Sequence, residues 1–216
     1  MLGVSLVVSA QESRNQCIKS MGADLGAMYY DLNDQLLETL LLWKQYEQLF
    51  CVDQATVQVL NDSAPTFFGV VQAQFWDAVM LGISRLTDPA MTGKKPNLSI
   101  SAIPPIISDT QVRAQVESAV ATALIDAEFA REHRNKRIAH NDLVHIQGLA
   151  ASPLSPASRL KIKAALSSVC AVLEILNGHY RQSVMLYDDL IYDGGAGSVV
   201  HLLEDGLRHQ DCDSAE

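Results

Sequence analysis

The stretch from Asp24 to Phe50, DLGAMYYDLNDQLLETLLLWKQYEQLF, decides the fold. Tyr29, Leu32, Leu36, Trp43, Tyr46 and Phe50 recur at three- and four-residue intervals, and the polar Thr39 fills the one gap in the series. That spacing is the seam of a long amphipathic helix, because side chains three and four apart share one helical face. Strand-like alternation of comparable length occurs nowhere in the chain, so the fold class is all-α.

Working outward, a short helix is expected over 53–60, closed by Asn61-Asp62-Ser63. The next segment, 64–87, carries Phe68, Val71, Phe75, Val79 and Leu86 on one face and Phe67, Val70 and Leu81 on another. A helix apolar around most of its circumference belongs in the middle of a bundle, with its aromatic residues in the core. Pro65 suits its first turn. Asp88-Pro89 breaks it, and Thr92 to Asn97 has turn chemistry. Gly93-Lys94 lacks the rest of a phosphate-binding loop.

Pro104-Pro105 precludes a long helix, and Ser108-Asp109-Thr110 offers a cap for a single helix over 110–140. Ser155 and Pro156 read as the cap and first position of another, reaching about Asp188 through Ile162, Leu166, Val169, Leu173, Leu176 and Tyr180. Gly194-Gly195-Ala196-Gly197 reads as a flexible break before a short helix over 199–207. The expectation is a helical bundle of four to five main helices plus short ones, occupying residues 21–190. Residues 1–20 are a weakly packed extension and 191–216 a flexible C-terminal segment.

The 216 residues suffice for one well-buried core. Hydrophobic residues are 48% and charged ones 19%, which indicates neither disorder nor a membrane protein. Met1 to Ala10 is apolar but lacks the basic start of a secretory signal. Cys17, Cys51, Cys170 and Cys212 show no C-x-x-C pair, so free thiols in a reducing cytoplasm are expected.

The net charge of −9 argues against bulk attraction to nucleic acid, so any contact with RNA must be local. One place offers it. Of the 16 Lys and Arg residues, Arg131, Arg134, Lys136 and Arg137 crowd into a single short stretch, flanked by His133 and His140. Cations beside imidazoles suit a site that handles phosphate. Basic residues near a helix C-terminus also complement its dipole, which is the structural alternative. The His133/His140 spacing is not the i, i+4 pair of a helical zinc site, so no metal is expected.

Arg134-Asn135, the small apolar pair Ile138-Ala139 and His140 together resemble the R-x(4 to 6)-H signature of the HEPN superfamily, helical proteins many of which are ribonucleases. Phe75-Trp76 through Leu86-Thr87-Asp88-Pro89 to Lys94 resembles the tryptophan helix and turn of its abortive-infection branch. The resemblance covers about Met21 to Tyr187. It implies a HEPN-like bundle acting as a homodimeric, metal-independent endoribonuclease, a toxin or antiphage effector, and leaves open an antitoxin or nucleotidyltransferase partner. A non-catalytic module that binds RNA, nucleotide or a protein is the alternative.

Cleavage through the ribose 2'-hydroxyl needs a base, an acid and positive charge beside the phosphorane, and no cofactor. Carried over from the motif, His140 is the base or acid, Arg134 grips the phosphate and Asn135 positions a polar group of the substrate. Arg131, Lys136, Arg137 and His133 are the candidate substrate-binding residues around them. His133 is a second proton carrier, a helper at the phosphate or a surface residue. Asp142 either orients the His140 ring or caps the turn. On an ideal helix Arg134 and His140 diverge by about 120 degrees, so convergence needs a bent helix end or a second copy of the chain.

Overall fold

The computed structural model describes residues 9–138, 155–190 and 194–213. Helix α1 (Ala10–Met21) is followed by α2 (Ala23–Phe50), α3 (Gln54–Ser63) and α4 (Pro65–Leu86). A two-residue antiparallel hairpin, Met91–Thr92 with Lys95–Pro96, and two 3-10 turns lead to α5 (Thr110–Asp126) and α6 (Glu128–His133). A π turn (Arg134–Ile138) completes that arm, and α7 (Arg159–Arg181) and α8 (Ala196–Asp213) follow. The architecture is the expected all-α bundle.

The α2 seam is buried as read, with Leu49 in place of the partly exposed Phe50. Its polar member has a packing reason. Thr39 lies against Gly82 of α4, where a Cβ would collide with its hydroxyl, and that hydroxyl donates to the Gln35 carbonyl at 2.8 Å. A small polar residue facing a glycine lets the two helices approach closely. Around this contact, α1, α2, the C-terminal half of α4, α5, α6 and α7 share one core, while Leu49, Leu60, Phe68, Ala196 and Val200 form a second cluster under α8.

The N-terminal extension is a packed element from Ala10 onward. Ser9 and Glu12 form a reciprocal capping box, and Cys17 and Met21 are buried against α2. Gly22, at φ 86°, makes the corner between α1 and α2 that a side chain would resist.

Helix α4 departs from the expected central position. Val79, Met80, Ile83 and Leu86 are fully buried, but Phe67 and Val70 are 61% and 58% exposed. Apolar circumference reflects an uncovered face at its N-terminal end. By length and apolar composition α4 could reach across a bilayer, yet its C-terminal half is spent on the protein core.

The expected single helix over 110–140 is broken at Ala127 (φ −93°, ψ 0°), and its described end widens into the π turn. Arg131 sits at the break: its guanidinium donates to the carbonyl of Leu124 (2.7 Å), which a continuous helix would satisfy internally, and to the carbonyl of Thr87 at the end of α4 (3.4 Å). Asp109 caps α5 as anticipated, accepting from the amides of Gln111 and Val112. Helix α7 is capped by Ser158, not Ser155, and stops at Arg181, where Gln182 turns left-handed. Ala196 and Gly197 are anchored to α2: their amides donate to Gln45 (2.6 Å) and Gln48 (3.1 Å), and α8 runs longer than expected.

Candidate active site

The candidate residues lie where the C-terminal half of α4 meets α6 and the π turn. A charged side chain here acts through what neutralises it, so each base is followed to its partner. Arg134 Nη1 donates to Asp88 Oδ1 at 2.5 Å, and Nε donates to Asn135 Oδ1 at 3.1 Å. Both members of the ion pair are largely shielded, with side-chain exposures of 23% and 20%. Among the described residues, these two bonds use two of the five N–H groups of the guanidinium.

Lys136 binds Glu132 at 2.7 Å across one helical turn, and Arg137 stands 4.0 Å from Asp77 on α4. Glu132 also accepts the Ser155 amide at 3.0 Å. The Lys136 hydrogen bond, followed by those from Ser155, holds its carboxyl down at about 2. Two of the candidate substrate-binding residues have partners within the fold. Arg131 is committed to the Leu124 and Thr87 carbonyls, and burial lowers its pKa. His133 is buried, and its Nε2 lies 2.7 Å from the Ser155 carbonyl oxygen. A carbonyl only accepts, so Nε2 carries the proton and the ring serves the fold.

Among the described residues, three of the four bases are paired with carboxylates, Arg134 with Asp88, Lys136 with Glu132 and Arg137 with Asp77, and Arg131 also feels the charge of Glu128. The concentrated basic patch of the sequence is mostly compensated within the fold. Arg134, Asn135, Lys136 and Arg137 are brought together in the π turn, whereas His140 and Asp142 lie outside the described residues. The π turn also removes the ideal-helix geometry from which the angular divergence of Arg134 and His140 was reckoned.

Asp88 and Asp77 are the participants that sequence reading missed. Glu132 was legible, four residues before Lys136 in the favourable order. Asp88 reaches Arg134 across 46 residues, and no local pattern announces that. A cavity of about 680 Å³ between α2, α7 and residues 183–190 includes none of the motif residues.

No curated protein and no solved structure matches the chain. Residues 22–197, well over half the chain, match the AbiU2 model of HEPN domains, and the protein belongs to this abortive-infection HEPN family.

Proposed function

We propose that the protein is a metal-independent endoribonuclease that cleaves RNA through attack of the 2'-hydroxyl on the adjacent phosphate. Arg134 stabilises the negative charge of the phosphorane, and Asn135 orients both that guanidinium and a polar group of the substrate. His140 takes the 2'-hydroxyl proton or supplies one to the departing 5'-oxygen. Lys136 and Arg137 attract the flanking backbone. The products are a 2',3'-cyclic phosphate and a 5'-hydroxyl fragment, and the biological setting is an abortive-infection response.

The observation that carries this reading is the state of Arg134. The motif arginine is oriented by two bonds, to Asp88 and Asn135, and retains N–H groups for phosphate. A two-fold dimer brings two motifs to one phosphodiester and supplies a histidine for each proton transfer. Support for a dimer comes from α4. Pro65 to Trp76 contain no charged residue, and Thr66, Phe67, Gly69, Val70 and Ala73 are exposed on one side together with the uncharged Gln74. The stripe ends at Asp77, the partner of Arg137. For a chain of charge −9, a neutral apolar face is where two copies meet with least repulsion.

The second reading, a non-catalytic module for RNA, nucleotide or a partner protein, is favoured by the carboxylates compensating Arg134, Lys136 and Arg137. Product analysis separates the two. Incubated with RNA in EDTA, the purified protein should yield fragments ending in a 2',3'-cyclic phosphate, and 2'-O-methylated RNA should stay intact. Binding without any change in RNA length would establish the second reading instead.

A further inference from the structure

Asp88 is braced from both sides. The preceding Thr87 is 1% exposed, its hydroxyl donates to the Ile83 carbonyl at 2.8 Å, and its own carbonyl accepts from Arg131. On the other side, the Pro89 carbonyl accepts from Asn97 Nδ2 at 2.8 Å. A carboxylate on such a turn is a fixed acceptor. Arg134, by contrast, stands on a long side chain in a π turn, and a free guanidinium there would sample many rotamers.

We propose that Asp88 is a positioning residue for Arg134, holding the guanidinium in the orientation that meets the phosphate; this rests on the ribonuclease reading. The contact uses one N–H, through Nη1, so it orients Arg134 without consuming its phosphate-binding capacity. The negative charge of Asp88 opposes an incoming phosphate, and the Arg134 guanidinium that it pairs with offsets it. A donor set in place before the reaction spares the transition state the cost of ordering it. The Leu86-Thr87-Asp88-Pro89 turn thereby acquires a role beyond ending α4.

The test compares wild type, Asp88→Ala, Asp88→Asn, Arg134→Ala and the Asp88→Ala/Arg134→Ala double variant. Cleavage is read at saturating RNA, affinity with an uncleavable 2'-O-methyl oligonucleotide, and folding by thermal midpoint. Asp88→Ala should slow cleavage by about 10- to 100-fold, with affinity changed by less than about threefold. Asp88→Asn keeps an acceptor oxygen and should recover part of the rate, and it carries the test if the alanine variant fails to fold. In the Arg134→Ala background, the effect of Asp88→Ala should shrink to within about twofold. If wild type cuts RNA and the folded Asp88 variants cut as fast or faster, or slow it equally without Arg134, the positioning role is overturned while the ribonuclease reading stands. If wild type does not cut, the ribonuclease reading falls and takes this inference with it.

Discussion

His133 and Glu132 hold the two sides of one peptide residue: Nε2 of His133 donates to the Ser155 carbonyl at 2.7 Å, and the Ser155 amide donates to Glu132 at 3.0 Å. Neighbouring residues of the motif thus close a 22-residue interval that contains His140. His133→Ala should cost about 1–3 kcal/mol of stability, the range for a lost bond at a shielded polar group. Urea unfolding measures it. Unchanged stability would mean that the ring does not tie this interval to α6.

Acid should release the other half of that clamp. The Glu132 carboxyl is lowered from its ordinary 4.5 to about 2, first by Lys136 and then by Ser155. A depressed carboxylate stabilises the fold fully above its unfolded pKa and loses that contribution as pH falls through the folded one. The stability difference between wild type and Glu132→Gln should therefore be constant above about pH 4.5 and decline toward pH 2. Unfolding curves at stepped pH check this, and a difference that persists unchanged near pH 2 would contradict it.

Gly26 tests whether α1 is integral to the bundle. A Cβ there would strike the backbone of Cys17 and Ile18, which has no side chain to move aside. Gly26→Ala should destabilise by about 1–3 kcal/mol despite the better helix propensity of alanine. Gly178→Ala, where nothing lies within 4 Å, is the control and should be neutral or stabilising by up to about 1 kcal/mol. Thermal unfolding of both variants gives the comparison.

The exposed stripe on α4 should hold the dimer. Phe67→Glu and Val70→Glu place charge on side chains that are mostly outside the core, so the fold should survive. Each should weaken self-association at least about tenfold. Sedimentation equilibrium over a range of concentrations reads the constant. A wild-type monomer, or a dimer indifferent to both changes, would move the interface elsewhere.

Periodicity revealed the helices because each one buries a repeating face: the α2 seam except Phe50 and five of the six α7 positions are buried as expected. Tertiary bonds lay beyond it. Ala127 has nothing local to end a helix, and the Arg131 bonds that accompany the break reach Leu124 and, across the bundle, Thr87. Alternation of polar and apolar residues could not show that the N-terminal half of α4 lies open, since an uncovered apolar face and a buried one have the same spacing. At the site, the cluster of bases was legible as composition, but its compensation by Asp88 and Asp77 depends on how α4 packs beside α6. Of the three readings open for His133, a surface position is the one its burial excludes, and the Ser155 carbonyl that accepts its N–H lies 22 residues on.

The most direct measurement is RNA cleavage by the purified protein in EDTA, with Arg134→Ala and His140→Ala alongside wild type. The account predicts cutting by wild type and a loss of about 100-fold or more in each variant, with folding retained. Equal cutting by all three proteins, or none by a folded wild-type dimer, would contradict it.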